Sequence, residues 1–375
     1  MLPGTQNRWT ILLYPFSLVY GFIIYIRNFL FDYQIIESKE FDIPIISIGN
    51  ITVGGTGKTP HVEHLIRLLR ENFQIATLSR GYRRKTRHFI LASENSTAAE
   101  IGDEPRQIKK KFPEIHVAVD RKRVHGIKKL AENIPELDVV ILDDAFQHRQ
   151  VKAGLSILLI DYNRPLSEDF LLPAGRLREQ SFERRRANII LITKCPDRLK
   201  PIERRIVVKD LKLYPFQHLY FTKIKDDNPI PVFRISGNPL TREEIKKMKP
   251  QIMMVAGIAN PRSFKKFVRN YSTHITELIY PDHHDYKPRD IDHIISAFHA
   301  LSGNEKIIFT TEKDAMRLQK YTDIDAVIKE KFYYIPIYID FLNEDTDHFN
   351  HHIISYVRDN KRNSILFKRK NINST

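Results

Sequence analysis

At 375 residues and 42% hydrophobic content the chain is long enough for one to three domains with real cores, and two is the expected number. A single cysteine, Cys195, excludes an intrachain disulfide and suits a reducing compartment. A formal net charge of +15 calls for an acidic partner, whether nucleic acid, anionic lipid or a phosphorylated ligand, and charge alone does not choose among them.

Residues 11–26 carry no charge and are flanked by Arg8 and Arg27. The run is shorter than the ~20 residues a spanning helix needs, and Pro15 and Gly21 interrupt it. No small-residue cleavage site follows, which argues against a secretory signal. Tyr14, Phe16, Tyr20 and Phe22 suit a membrane interface, so the run predicts an interfacial or partly inserted helix. The competing reading is a helix buried in the protein's own core, and a full span stays open.

The chain is organised around residues 43–70. Ile43–Ile48 reads as a buried strand, followed by a glycine-rich turn with Gly49, Gly54, Gly55 and Gly57. A helix follows, with Pro60 in its first turn and Val62, Leu65, Ile66 and Leu69 at spacings of three and four. Strand, glycine loop, Gly57-Lys58-Thr59 and helix make a P-loop. Glycines let backbone N–H groups turn inward around phosphate oxygens, and the helix N-terminus adds partial positive charge. Gly54, Gly55, Thr56, Gly57, Lys58 and Thr59 are the nucleotide-binding candidates, with Lys58 on the β- and γ-phosphates and the Thr59 hydroxyl on Mg2+. The general pattern wants glycine where Thr52 stands, so Gly54 and Gly55 are expected to supply the turn.

From 43 to about 195 strand and helix alternate. Strands are expected at Ile43–Ile48, Ile75–Ser79, His116–Asp120, Val139–Asp143, Ser156–Asp161 and Asn188–Thr193, with helices at 59–71, 103–112 and 121–132. This predicts a parallel α/β sheet with helices on both faces and ligands at the carboxyl ends of its strands. Four polar clusters fall there. Ser79-Arg80-Gly81-Tyr82-Arg83-Arg84-Lys85 is either a basic, aromatic rim for an anionic substrate or a solvated loop. Gly102-Asp103-Glu104-Pro105 opens a helix, where acids are favoured even without catalytic duty. Val139–Leu142 running into Asp143 and Asp144 has the Walker B form, in which a carboxylate holds Mg2+. Residues 171–179 bring Arg176 and Arg178 as candidate neutralisers of a transferring phosphate. Thr193-Lys194 resembles the guanine-reading motif, but Asp197 lies three residues past the lysine rather than two, which discounts GTP specificity.

Residues 216–235 read as a β-hairpin linker with an Asp226-Asp227-Asn228 turn. A smaller α/β domain follows over 236–362, with strands at 252–258, 275–280, 306–311 and 332–340, helices at 261–269 and 288–300, and a last helix at 346–360. Residues 1–35 form the N-terminal membrane-associated helix, 36–215 the P-loop domain and 363–375 a basic tail suited to anionic lipid or to disorder. Asp282-His283-His284-Asp285 reads as a surface loop or a phosphoesterase-type metal site. The latter lacks companion carboxylates.

The ordered set of motifs resembles the tetraacyldisaccharide 4'-kinase family, the lipid A 4'-kinases, over most of the chain. It comprises the apolar N-terminal helix, Gly49–Pro60, Ser79–Tyr82, Gly102–Pro105, Asp143–His148, Pro173–Glu179, Asp282-His283-His284, and Thr311-Glu312-Lys313-Asp314 with Arg317. One departure is Ala145, where the family usually has glycine, so a different backbone angle is expected there. The resemblance implies transfer of the γ-phosphate of ATP to the 4'-hydroxyl of a lipid-linked glucosamine disaccharide 1-phosphate, at the cytoplasmic face of a bacterial inner membrane. It implies Asp103 as the group accepting the hydroxyl proton and a histidine of the 282–284 motif orienting it, His283 favoured over His284. The two would come from different domains, so closure is expected to assemble the site. Tyr82, Glu104, Gln147, Arg178 and Glu179 are further substrate-site candidates. An anionic membrane surface is the expected partner, with no nucleic acid and no obligate protein partner. The rival reading is a membrane-positioning switch ATPase of the deviant Walker A type, against which stands Val53 where its signature lysine belongs. A nucleic-acid-dependent NTPase rests on charge alone.

Overall fold

The computed structural model describes residues 8–82, 84–234 and 238–372; Arg83 of the predicted basic rim and the end of the basic tail lie outside them. The chain divides into two compact units, one of Met1–Ile224 with Ile339–Thr375 and one of Lys225–Tyr338.

The larger unit runs α1 (Arg8–Asp32), β1 (Ile45–Gly49), α2 (Lys58–Leu69), β2 (Ile75–Ser79), β3 (Ile90–Leu91), α3 (Ala98–Ile101), α4 (Asp103–Lys111), β4 (His116–Val119), α5 (Arg123–Asn133), β5 (Val139–Asp143), β6 (Leu155–Asp161), β7 (Ile189–Thr193), α6 (Pro201–Leu211) and β8 (His218–Asp226). The smaller unit adds β9 (Ile230–Pro231), α7 (Arg242–Met248), β10 (Gln251–Ala256), α8 (Pro261–Val268), β11 (Ile275–Ile279), α9 (Pro288–His299), β12 (Lys306–Thr311), α10 (Glu312–Leu318), α11 (Ala326–Lys329) and β13 (Phe332–Ile335). β14 (Ile337–Phe341) and α12 (Asp345–Ile372) return to the larger unit.

The larger sheet has the order β14-β8-β7-β6-β1-β5-β2-β4-β3 among the described residues. The strands from β8 to β4 pair in parallel, and β3 is antiparallel to β4. Continuous Ile, Leu and Val runs make this possible, because a strand covered on both faces needs no polar alternation. Every residue of β1, β5 and β7 is buried. β1 lies between β5 and β6, with Ile48 opposite Asp143, so the glycine loop after β1 and the acids after β5 share one edge of the sheet. The smaller sheet runs β11-β10-β12-β13-β9.

Three expectations are corrected. Residues 216–235 are not a hairpin: β8 lies beside β7 in the larger sheet, while β9 pairs with β13 in the smaller. Tyr220 and Phe221 on neighbouring positions are both buried, which demands cover on both faces, and a linker hairpin offers none. The run 332–340 is two strands in two sheets, split at Pro336, which has no N–H to donate to a ladder. The last helix belongs to the larger unit: Phe349, Ile353 and Val357 form a stripe buried against Ile339 and Phe341, each worth about 1.5–3 kcal/mol. α12 also extends to Ile372, through the start of the expected tail.

α1 does not follow the buried-core reading. Its docked stripe is mostly small or polar: Ser17, Gly21 and Asn28 are buried at helical spacing, with apolar Phe31 at its end. Ser17 Oγ donates to Leu171 O at 2.9 Å, Tyr20 OH to Arg178 O at 2.8 Å and Arg27 Nη2 to Gln147 O at 2.7 Å. Leu12, Phe16, Val19, Phe22, Ile23 and Ile26 remain exposed. By length and composition Ile11–Asp32 could cross a membrane.

Candidate active site

Gly54 (φ 110°) and Gly57 (φ 87°) adopt the left-handed conformations that side chains disfavour, so Gly54 supplies the turn that Thr52 leaves unsupplied. Gly57 caps α2, which opens with Lys58 and Thr59, and Asn50 Nδ2 donates to Thr56 Oγ1 at 2.9 Å. Lys58 Nζ lies 3.4 Å from Asp144 Oδ1, and Arg178 Nη1 reaches both Asp144 oxygens at 3.3 Å. Arg178 is held there because residues 176–178 run along the P-loop approach: Val53 N donates to Arg176 O and Arg178 N to Ile51 O, each at 2.7 Å. Two strands' ends, the P-loop lysine and this arginine thus converge on one acid pair.

The two acids differ. Burial pushes Asp143 up to about 6, Asp144 and Glu104 pushing the same way against the pull of Lys58. Burial raises Asp144 as well, but Lys58 and Arg178 outweigh it and hold this carboxyl below its ordinary range. Asp143 Oδ1 is buried with no hydrogen-bond partner among the described residues. A hard cation takes such oxygens, so Asp143, Asp144 and the Thr59 hydroxyl fit Mg2+ in donor chemistry. The positive φ in this turn falls on Asp144 (50°) and not on Ala145, so the backbone at position 145 does not require glycine.

Two left-handed glycines set Tyr82 beside Asp103. Gly81 (φ 66°) and Gly102 (φ 95°) touch, and a Cβ on Gly102 would meet Tyr82 O at 3.1 Å. Asp103 and Glu104 are half-buried in the first turn of α4, and Tyr82 is exposed. Gln147 Nε2 donates to Asn50 O at 2.8 Å, bracing the residue after β1. Glu179 is fully buried, bonded to Arg186 and near Asn28 and Arg27, and its carboxyl is pushed up by burial. In this structure its contacts anchor α1.

In the smaller unit His283 adopts φ 60° and its N–H donates to Gly257 O at 3.1 Å. Lys313 Nζ lies 3.0 Å from its Nε2 and Arg317 Nη2 3.2 Å from its Nδ1. Buried Asp314 ties the motif together, accepting from Gly257 N, Thr311 Oγ1 and Arg317 Nη1. His284 is engaged elsewhere, 2.9 Å from Asp290 and stacked on Tyr280. Among the described residues no group of three or more His, Cys, Asp or Glu is arranged to hold a metal.

Buried Arg123 escaped the sequence reading. Its Nη2 donates to Asp143 O at 3.3 Å and its Nη1 to Asp120 O at 2.5 Å, and burial pushes it down to about 10 against the pull of Asp143 and Asp144. Its signal was faint: a basic run after the strand that ends at Val119. His148 lies in the same field, pushed down to about 4 by burial and then by Arg123.

The chain is similar to known proteins along nearly its whole length. The family model described as Tetraacyldisaccharide-1-P 4'-kinase matches residues 9–358. A relative named tetraacyldisaccharide 4'-kinase from Phocaeicola vulgatus is 48% identical over 360 residues, covering 96% of this chain and 97% of its own. Its counterpart from Bacteroides thetaiotaomicron is 47% identical over 371 residues, covering 97% of each chain. A crystal structure of LpxK from Aquifex aeolicus, described as an "apo" form in complex with ATP, superposes with a TM-score of 0.70 at 28% identity, covering 93% of this chain and 99% of that one. With its P-loop, acid pair and motif order all in place, the chain belongs to the tetraacyldisaccharide-1-phosphate 4'-kinase family.

Proposed function

We propose that the residues converging on Asp144 form the phosphoryl-transfer site of this kinase, at which the γ-phosphate of ATP passes to the 4'-hydroxyl of a tetraacyldisaccharide 1-phosphate in lipid A biosynthesis. The observation that carries the site assignment is the meeting of Lys58 and Arg178 on Asp144, beside Asp143 with its unpartnered oxygen. Lys58 and the loop N–H groups hold the donor's phosphates. Thr59, Asp143 and Asp144 would hold Mg2+, which when bound neutralises phosphate charge. Arg178 adds a second cation beside the transferring group. Asp103 accepts the proton of the 4'-hydroxyl as its oxygen bonds to phosphorus and the bond to the ADP oxygen breaks. His283 is the proposed orienting histidine of the reaction. Tyr82 and Glu104, beside Asp103, and Gln147 line the acceptor side.

The exposed apolar face of α1 and the +15 charge support binding at an anionic bilayer, the cytoplasmic face of the bacterial inner membrane, where the acceptor resides. The switch-ATPase alternative is not favoured. The test is transfer of labelled γ-phosphate from ATP to purified lipid A disaccharide 1-phosphate in detergent, wild type beside Lys58→Ala. Label in the lipid, lost in the variant, is expected. ATP binding without transfer by the wild type overturns the assignment.

A further inference from the structure

Three consecutive carbonyls of the P-loop are each taken by a side chain from outside the loop. Lys194, just past β7, donates from Nζ to Gly55 O. Thr193, the last residue of β7, places Oγ1 2.9 Å from Thr56 O. His61, on α2, places Nδ1 2.7 Å from Gly57 O. A carbonyl only accepts, so His61 carries its proton on Nδ1, and its Nε2 accepts from the Thr222 hydroxyl at 2.9 Å. Lys194 adopts φ 58° and is also held by Asp161 at 2.7 Å. Asp161 is steadied in turn by Asn163 N at 3.0 Å.

The trans peptide gives this pattern a consequence. In each planar peptide the C=O and the following N–H point in opposite directions. Holding the carbonyls of Gly55, Thr56 and Gly57 outward therefore aims the N–H groups of Thr56, Gly57 and Lys58 the other way, into the cradle. A glycine loop left to itself samples many orientations, and ordering it on binding would weaken affinity.

We propose that Lys194, Thr193 and His61 are positioning residues for the nucleotide: they preorganise the phosphate-binding N–H groups from behind the loop and touch no substrate. The Thr193-Lys194 pair, which fits no base-reading motif, thereby acquires a role. The proposal rests on the reading of this loop as the ATP site.

The test is the ATP dissociation constant by calorimetry, with KM for ATP and for the lipid acceptor measured separately. Lys194→Met keeps the aliphatic stem, and the side chain is partly exposed, so the fold is retained. Thr193→Val is a buried isostere, and Thr193→Ser restores the hydroxyl. Loss of one such hydrogen bond is expected to weaken ATP binding about tenfold in Lys194→Met, and by about threefold or more in Thr193→Val. Lipid KM should stay within about twofold, and Thr193→Ser should bind as wild type does. ATP affinity within about twofold of wild type in both Lys194→Met and Thr193→Val overturns the proposal. So does a parallel rise in ATP and lipid KM, which marks general damage, and so does failure of Thr193→Ser to rescue. Phosphate transfer by the wild type in the same assay keeps the kinase reading standing whichever way the variants fall.

Discussion

His61 makes the larger unit sensitive to acid in a way that can be isolated. The side chain is 2% exposed, and burial pushes its imidazole down to about 4 despite the hydrogen bond to Gly57 O. Its ordinary value is 6.5. The folded state therefore favours the neutral ring, and the unfolded chain binds a proton more readily. This contribution to stability is complete above about pH 6.5 and is lost as pH falls towards 4. Linkage between the two values gives about 2 kcal/mol lost between pH 7 and pH 5. His61→Gln keeps a side-chain donor for Gly57 O and removes the titration. His148 is depressed similarly, but it is present in both proteins and cancels in the difference. Because the chain has two units, a single unfolding free energy is ill-defined, and hydrogen exchange in peptides of α2 is the appropriate assay. Protection in the wild type should fall by about 2 kcal/mol more than in His61→Gln over that interval. Equal losses in the two proteins would refute the buried neutral histidine.

Asp103→Ala should lower turnover about 10²–10⁴-fold with a modest change in ATP affinity, and normal turnover removes Asp103 from the role. Arg178→Met leaves Lys58 alone to hold Asp144 down, so the Asp144 carboxyl should titrate at higher pH in the variant, read by carboxyl NMR; an unshifted carboxyl separates Arg178 from the acid pair. Phe22→Asp with Ile26→Asp, on the exposed face of α1, should cut cosedimentation with anionic vesicles by about tenfold or more while ATP binding is retained. Undiminished sedimentation places membrane contact elsewhere.

The glycine loop and the acid pair were legible because their geometry constrains local sequence: Gly54 and Gly57 take positive φ, and Asp143 ends a buried strand. The larger sheet was legible for a related reason, since β1, β5 and β7 must be apolar on both faces. What was hidden depends on partners distant in sequence. Nothing local to His61 says that Thr222, 161 residues on, meets its ring, and Lys194 meets Gly55 across 139 residues of chain. Periodicity located β8 and α12 as elements, but it does not say which of two sheets an apolar stripe will cover. The composition of α1 marked it as apolar without revealing that its polar stripe is the docked one.

The smaller unit is inserted between β8 and β14 of the larger, and this sets an order of events on the ribosome. The core of the larger unit includes Ile339, Phe341, Phe349, Ile353 and Val357, and Tyr356 OH bonds to the backbone of Ile45 at the start of β1. Synthesis runs from the N-terminus, so residues 225–338 have all emerged before those side chains exist. One face of the larger sheet, packed by residues 45–151 alone, can close before the middle unit is made, while the other face waits for Phe349, Ile353 and Val357 of α12.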